Sequence, residues 1–118
     1  MGFPSPAKDY QEEVIDLARY LVQHPLSTFY FRVKGDSMLN AHMPDGALLV
    51  VDRSLKVSSG MIVVAVVNGE FTVRRVVKTR MSLVLHPENP AYKPLQITEE
   101  MEMRVWGVVT AVVVRYIK

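Results

Sequence analysis

The first periodic pattern along the chain is helical and covers residues 9–24. Asp9 is suitably placed to cap the N-terminus, Glu12 follows three residues later, and Pro25 ends the pattern. Apolar residues recur at helical spacing in this stretch, at Val14, Leu17, Ala18 and Leu21. The pattern therefore predicts one amphipathic helix near the N-terminus.

After Pro25 the pattern changes to short runs rich in β-branched and aromatic residues, which predict strands. These runs are residues 28–33, 47–51, 61–67, 70–77, 82–85 and 102–117. Asn68-Gly69 separates two of them and is the preferred pair for a tight type I′ hairpin turn. Gly107 interrupts the last run, as expected of a bent or bulged strand, and residues 86–94 form a proline-rich loop. The predicted fold is mainly β with one short N-terminal helix.

The length of 118 residues fits one compact domain, assigned to residues 8–118 behind a flexible arm of residues 1–7. That arm contains two prolines and a glycine. Hydrophobic residues make up 49% of the chain and charged residues 22%, so we expect a globular protein. The longest apolar runs are shorter than the roughly 20 residues that a membrane helix needs, so we expect a soluble protein.

The formal charge of +2 arises from 14 basic and 12 acidic residues, which is too balanced to favour a phosphate-tracking surface. We therefore expect little direct DNA binding. The absence of cysteine excludes disulfides and thiolate zinc sites and is compatible with a reducing cytoplasm. His24 and His86 each precede a proline and are interpreted as loop or helix-end residues. Because no histidine has a ligand-like spacing, no metal site or cofactor is predicted.

Ser37 is the first candidate for chemistry. It lies in a polar segment with a glycine, residues 34–38, between two predicted strands. Taken alone, such a serine is more often a turn residue that hydrogen-bonds its own backbone. It becomes a nucleophile when a base removes its proton, and a lysine can be that base where burial lowers the lysine pKa. A serine turn followed by a valine-rich hairpin with basic residues is the layout that a Ser-Lys pair would use.

Four segments together carry a family resemblance. In chain order they are Gly2-Phe3-Pro4-Ser5-Pro6-Ala7, Gly35-Asp36-Ser37-Met38, Pro44-Asp45-Gly46-Ala47-Leu48-Leu49-Val50-Val51-Asp52, and Gly69-Glu70-Phe71-Thr72-Val73 followed by two arginines. With this order and spacing the chain closely resembles the LexA/UmuD family of Ser-Lys self-cleaving peptidases (peptidase S24). The first segment is typical of the UmuD branch. The resemblance implies a LexA/signal-peptidase-like β-ribbon domain.

The same resemblance implies roles for individual residues. Ser37 matches the nucleophile, the backbone N–H groups of Ser37 and Met38 would form the oxyanion hole, and Gly2 would begin the product of self-cleavage, after an added initiator Met1. Where the family has its lysine base, this sequence has Arg74. Arginine keeps its proton at any pH that a folded protein survives, so the resemblance predicts a broken dyad and an inactive form. Whether Arg74 is natural or replaces an earlier lysine stays open.

Two residues are candidate substitute bases. Lys78 lies on the same strand face as Arg74 but roughly 13 Å further along the strand, which is too far for it to replace the lysine base. His42 is near Ser37 in sequence and stays an alternative, although a loop histidine in contact with water is the simpler interpretation. Arg75 points away from the Arg74 face and is expected to be a solvated, sheet-edge charge.

For function, the resemblance implies an SOS-response mutagenesis protein that serves as accessory subunit of an error-prone translesion DNA polymerase of the polymerase V type. Its expected partners are a second copy of the chain, a UmuC-like Y-family polymerase catalytic subunit, the RecA filament on single-stranded DNA and, as a further candidate, the polymerase sliding clamp. Part of residues 106–116 is expected at the homodimer contact, since this segment is apolar on both faces. Two alternatives stay open: an active self-cleaving serine peptidase, and the dimerisation domain of a LexA-like repressor.

Overall fold

The computed structural model describes residues 15–117. Helix α1 spans Leu17–Leu21, and short 3-10 turns span Pro25–Ser27 and Leu39–Ala41. The strands are β1 Thr28–Arg32, β2 Leu48–Asp52, β3 Ile62–Val67, β4 Glu70–Lys78, β5 Leu83–His86, β6 Leu95–Gln96 and β7 Met103–Val113. Within this part of the chain, no helix has the length and hydropathy required to cross a bilayer. The predicted mainly β class with a short helix in front is confirmed.

Helix α1 is shorter than the helix predicted for residues 9–24. It begins after Asp16, whose backbone is extended (φ −79°, ψ 100°) and whose side chain accepts a hydrogen bond from the Arg19 N–H at 3.2 Å. It ends where Val22 is extended again, at φ −122° and ψ 101°. The predicted cap, Asp9, lies outside the described residues. No residue of α1 is buried, so the helix adds nothing to the described core.

The β3–β4 hairpin forms as predicted. Asn68 and Gly69 both have positive φ, 48° and 84°, as a type I′ turn requires, and Val67 pairs with Glu70 across the turn. The other predicted strands also form, with ends shifted by one to a few residues. The sequence pattern did not predict β6, because a strand of two residues is too short to show a period.

All seven strands belong to one antiparallel sheet with the order β1-β2-β7-β3-β4-β5-β6. β3 lies in the middle of this order and is buried on both faces. Val63 and Ala65 pack in one hydrophobic cluster, while Val64 points the other way and packs in a second. Burial of both faces explains why this segment is a continuous apolar run. The cluster around Val64 also contains Met38, which ties the loop after β1 to the sheet.

Two bulges bend β7. Against β3 the register skips Trp106, and against β2 it skips Thr110. The Trp106 carbonyl accepts a hydrogen bond from Arg53 Nε at 2.8 Å. Gly107 lies beside the first bulge, where a Cβ atom would stand only 2.7 Å from Val51 Cγ1. The predicted irregularity at Gly107 is confirmed, and its cause is the close approach of β2.

The sheet curls until β1 and β4 face each other. Three strands separate β1 from β4 in the sheet order, yet the rings of Phe31 on β1 and Phe71 on β4 have centroids 6.1 Å apart. Trp106 packs edge-on against both, at 5.1 Å from Phe31 and 6.3 Å from Phe71. Phe29 and the Arg53 guanidinium contact the same indole, at 5.2 Å and 4.1 Å. These contacts hold together strands that are not hydrogen-bonded to one another.

A buried carboxylate anchors the segment before β1 to the end of β2. Asp52 is 4% exposed and accepts hydrogen bonds from the N–H and Oγ of Ser54 at 2.8 Å and 2.6 Å, while one of its oxygens lies 2.5 Å from His24 Nδ1. Burial raises the pKa of Asp52, but the hydrogen bonds from Ser54 and His24 outweigh that effect and lower the pKa to about 2. The charged carboxylate is therefore the stable form at neutral pH.

Replacing Gly107 with alanine is expected to destabilise the fold by about 1–3 kcal/mol, because the new methyl group would overlap the stiff and fully buried Val51 side chain. Chemical denaturation should show a lower midpoint with little change in slope. Ser58→Ala, at an exposed loop serine, is the control and should leave the midpoint nearly unchanged. An unaltered midpoint for Gly107→Ala would contradict the close approach of β2 and β7.

Asp52 should stabilise the fold above about pH 4 and lose this effect in acid. Its pKa is about 2 in the folded chain against an ordinary value of 3.8, so its contribution is complete above the unfolded value and disappears as the pH falls through the folded one. The contribution is roughly 2 kcal/mol. The free energies of unfolding of wild type and Asp52→Asn should differ at neutral pH and converge below about pH 2. A difference that persists there would contradict this assignment.

Candidate active site

Ser37 lies in the loop directly after β1, as predicted. Gly35 turns the chain with a positive φ of 81°, and its N–H donates to Asp45 Oδ1 at 2.7 Å. Met38 follows Ser37 and is 2% exposed, packed in the hydrophobic core. Ser37 itself is half-buried. The loop therefore holds the hydroxyl between a fixed turn and an anchored core residue.

The proline-rich loop between β5 and β6 contacts the outer side of the loop that contains Ser37 (the serine loop) and acts as a brace for it. The Glu88 N–H donates to the Ser37 carbonyl at 2.9 Å, and Asn89 Nδ2 donates to the Asp36 carbonyl at 2.8 Å. The Tyr92 hydroxyl donates to Asp36 Oδ1 at 2.5 Å. Backbone and side-chain groups on both sides of Ser37 are thus fixed by a segment far away in the sequence.

Arg74 on β4 reaches Ser37 from the facing strand. Its Nη1 donates to Ser37 Oγ at 2.9 Å and to the Val73 carbonyl at 2.7 Å, and the side chain is half-buried. Burial lowers the pKa of Arg74, and the charge of Tyr92 acts in the opposite direction, but an arginine stays protonated at neutral pH. Both acceptors are uncharged, and among residues 15–117 Arg74 forms no ion pair with a carboxylate.

This geometry makes the Ser37 hydroxyl oxygen an acceptor, and no side chain among residues 15–117 accepts its proton. A guanidinium has only donors, so Arg74 can orient the oxygen or neutralise an anion but cannot activate a nucleophile. Among the described residues, no hydrogen bond occupies the N–H groups of Ser37 and Met38, so both are free to bind an oxygen atom. The arrangement therefore offers hydrogen-bond donors to an oxygen atom placed beside Ser37.

Ser37 and Arg74 lie in a cleft of about 410 Å³ between β1 and β4. Most of its wall is apolar, and this part includes Phe31, Val33, Met38, Phe71 and Val73. The charged residues of the lining are Arg32, Lys34, Asp36 and Arg74. Of these residues, Arg32 donates from Nη1 to the Gly46 carbonyl at 3.1 Å and also lines a second cleft beside Leu48.

Arg75 is not the solvated, sheet-edge charge that the sequence predicted. β4 lies inside the sheet between β3 and β5, and Arg75 forms an ion pair with Glu88 and donates from Nη1 to the Gly60 carbonyl at 2.5 Å. The backbone of Glu88 in turn binds the loop of Ser37. Arg75 therefore supports the brace from the face opposite to Arg74. The prediction failed because the pairing of β4 with β5 brings Glu88 beside Arg75.

Neither candidate substitute base lines the cleft. His42 ends the 3-10 turn after Ser37 in a left-handed conformation, with φ 64°, and is exposed. Lys78 is exposed at the last position of β4. The predicted site residues that the fold brings together are therefore Ser37, Met38 and Arg74. Gly2, together with the rest of the arm, lies outside the described residues.

The brace formed by Glu88, Asn89 and Tyr92 was missed in the sequence. Asn89-Pro90 predicts a turn at this position, but no local pattern predicts which residues the turn contacts. The hydrogen bonds that join Asn89 and Tyr92 to Asp36 span 53 and 56 residues. Contacts between residues so far apart along the sequence depend on which strands pair, and local sequence patterns do not predict that pairing.

The hydrogen bond to the Asp36 carboxylate, together with its negative charge, raises the pKa of Tyr92 above the ordinary value. Asp36→Asn is expected to move this pKa back down. Ultraviolet titration can follow the change, with Tyr92→Phe identifying the contribution of Tyr92. Asp45→Asn, in the same β1–β2 connection but bonded to Gly35, is the matched control and should leave the Tyr92 pKa in place. An unshifted Tyr92 in Asp36→Asn would contradict the contact.

Comparison with known proteins finds similarity over most of the chain. The sequence pattern of the Peptidase S24-like family matches residues 1–110. Protein SamA of Salmonella typhimurium is 47% identical over 111 residues, which cover 93% of this chain and 76% of SamA. Protein MucA of Escherichia coli is 44% identical over 110 residues, covering 92% and 75%. LexA repressor 1 of Geobacter sulfurreducens is 41% identical over 96 residues, covering 81% of this chain and 47% of the repressor.

Proposed function

Because this chain belongs to the Peptidase S24-like family and its relatives SamA and MucA are UmuD-like, we propose that it is a non-cleaving, UmuD-like SOS mutagenesis protein. In this role it is the accessory subunit of an error-prone translesion DNA polymerase. Ser37 takes the position of the family's nucleophile and Arg74 that of its lysine base. The protein keeps the peptidase fold for binding and has lost the self-cleaving reaction.

The single observation that carries this proposal is the 2.9 Å hydrogen bond from Arg74 Nη1 to Ser37 Oγ. A lysine at this position could give up its proton after burial and then accept the serine proton. A guanidinium cannot do so, because its pKa stays far above neutrality even when burial lowers it. The catalytic pair is therefore assembled in space but lacks an acceptor.

The proposed partners are a second copy of the chain, a UmuC-like Y-family polymerase catalytic subunit, the RecA filament on single-stranded DNA and the sliding clamp, all in the bacterial cytoplasm. Relationship to UmuD-like proteins supports this set. The nearly balanced charge argues against direct tracking along DNA. For the homodimer we favour the segment that follows β7, because Trp106 is already packed inside the chain, whereas Val114, Tyr116 and Ile117 are 44%, 98% and 80% exposed.

Arg74→Lys is expected to restore self-cleavage in a longer version of the chain that carries an N-terminal segment with a cleavage site. Incubation with RecA filaments on single-stranded DNA, followed by gel electrophoresis, measures the reaction. The wild-type version should stay intact, and the lysine variant should be cleaved at least about a hundredfold faster, as expected when a general base is supplied.

Arg75→Lys is the matched control, since it introduces a lysine one residue away on the opposite face and should not cleave. Ser37→Ala combined with Arg74→Lys should also remain intact, which would assign the restored activity to the serine. Cleavage of the wild-type version, or labelling of its Ser37 by a fluorophosphonate probe, would contradict the proposal. An intact Arg74→Lys version would also contradict the proposal, because Arg74 would then not be the reason that the wild type does not cleave itself.

A further inference from the structure

We propose that the cleft beside Ser37 is a receptor for an extended apolar peptide that ends in a free C-terminal carboxylate, which Arg74 binds as an ion pair. The inference rests on the proposed function in one respect, namely that Ser37 occupies the position of a peptidase nucleophile. It adds a ligand class to a site that has no base. A serine peptidase produces a peptide with a free C-terminal carboxylate. In this proposal the protein binds such a terminus instead of producing it.

The first support is the unused capacity of Arg74. A guanidinium carries five N–H donors in a planar fork, and the contacts to Ser37 and Val73 engage only Nη1. Among the described residues, Nε and Nη2 have no hydrogen-bond partner, and no buried side-chain nitrogen lacks one, so these two groups are accessible from outside the protein on a side chain that lines the cleft. A half-buried cation that meets only uncharged acceptors gains most from an anion, and a carboxylate matches its fork with two parallel bonds.

The charge of the surrounding wall is complementary to an anion. Lys34 lines the same cleft as Arg74, and Asp36 is the one acidic residue of this lining. Arg32 also belongs to the lining, but its Nη1 donates to the Gly46 carbonyl at 3.1 Å, so its charge is not counted here. Asp36 Oδ1 already accepts the Tyr92 hydroxyl at 2.5 Å, so this carboxylate is held by the brace. An incoming carboxylate therefore meets a site in which positive charge dominates and the single negative charge is engaged.

The rest of the cleft fits an extended apolar segment. β1 is an edge strand, paired only with β2 in the described sheet. The Val33 N–H donates to the Ala47 carbonyl at 2.9 Å, so by the alternation of antiparallel pairing the backbone groups of Arg32 and Lys34 point away from β2. A peptide could add to this edge by main-chain hydrogen bonds while its side chains contact the apolar wall.

A chain terminus suits this position better than an acidic side chain. When a serine peptidase hydrolyses a peptide bond, the carbon that faced the serine oxygen becomes the C-terminal carboxylate of the product. Arg74 Nη1 lies 2.9 Å from Ser37 Oγ, within reach of a carboxylate placed there, and the free N–H groups of Ser37 and Met38 can share its second oxygen.

The test is a titration of the full chain with three synthetic peptides of one apolar sequence. The first is acetyl-Ala-Val-Ala-Val-Ala with a free carboxylate, the second is its C-terminal amide, and the third is the amide with glutamate at its last position. Isothermal titration calorimetry gives the dissociation constants. Fluorescence of Trp106, the single tryptophan, gives a second readout because its ring contacts Phe31 and Phe71 of the cleft.

The free acid should bind at least about tenfold more tightly than either amide, as expected for one charge-assisted contact. Arg74→Gln should abolish this preference and Arg74→Lys should retain part of it, since lysine keeps the charge but not the fork. Arg80→Gln is the matched control: it removes an equal charge at an exposed position of the β4–β5 loop that does not line the cleft, and it should leave the preference intact. Denaturation midpoints of all variants show whether each is folded.

Equal binding of acid and amide, or no binding of any peptide, would overturn the inference, and so would a glutamate-ended amide that binds as well as the free acid. A preference that survives in folded Arg74→Gln would also overturn it. These results leave the proposed function untouched, because self-cleavage and fluorophosphonate labelling are measured separately. Conversely, labelling of wild-type Ser37 by the fluorophosphonate probe would refute the proposed loss of peptidase activity, whatever the result of the peptide titrations.

Discussion

Edge-on packing of Trp106 against Phe31 and Phe71 is the interaction on which the site depends. The sheet order places three strands between β1 and β4, so hydrogen bonding alone does not bring these strands together. The indole bridges the two phenylalanine rings at 5.1 Å and 6.3 Å, and each such pair contributes about 0.5–1.5 kcal/mol beyond the burial of its surface. A bulge puts Trp106 in this position, and Gly107 lets β2 approach beside it. Ser37 and Arg74 meet because the sheet is curled here.

The nature of the cation then decides what the cleft can do. Lysine and arginine carry the same charge at neutral pH, but burial can convert lysine into a neutral acceptor, whereas the delocalised charge of arginine resists this change. With Arg74, the serine oxygen is oriented and not activated. The same side chain offers a planar fork of donors, which suits a bound anion. One residue thereby removes the condition for acyl transfer and supplies the condition for carboxylate recognition.

Arg74 and Arg75 are neighbours on β4, and their side chains make different contacts on opposite faces of the strand. Arg74 enters the cleft, while Arg75 pairs with Glu88, whose N–H holds the Ser37 carbonyl. Asn89 and Tyr92 complete the brace through Asp36. The serine loop is therefore fixed by hydrogen bonds to its backbone on the outside and by burial of Met38 on the inside. Such support from both sides is what a preorganised binding site requires.

The sequence by itself determined the features that local patterns carry: the β-rich class, the Asn68-Gly69 hairpin and the irregularity at Gly107. These follow from alternation and turn chemistry, which are properties of a residue and its near neighbours. Ser37 and Arg74 were singled out by the family resemblance of the segments around them, and not by a local pattern. Tertiary structure decided the pairing of Arg75 and the brace by Glu88, Asn89 and Tyr92. Those outcomes depend on which strands pair, because the contacts join residues that are 13, 53 and 56 positions apart and leave no local signal.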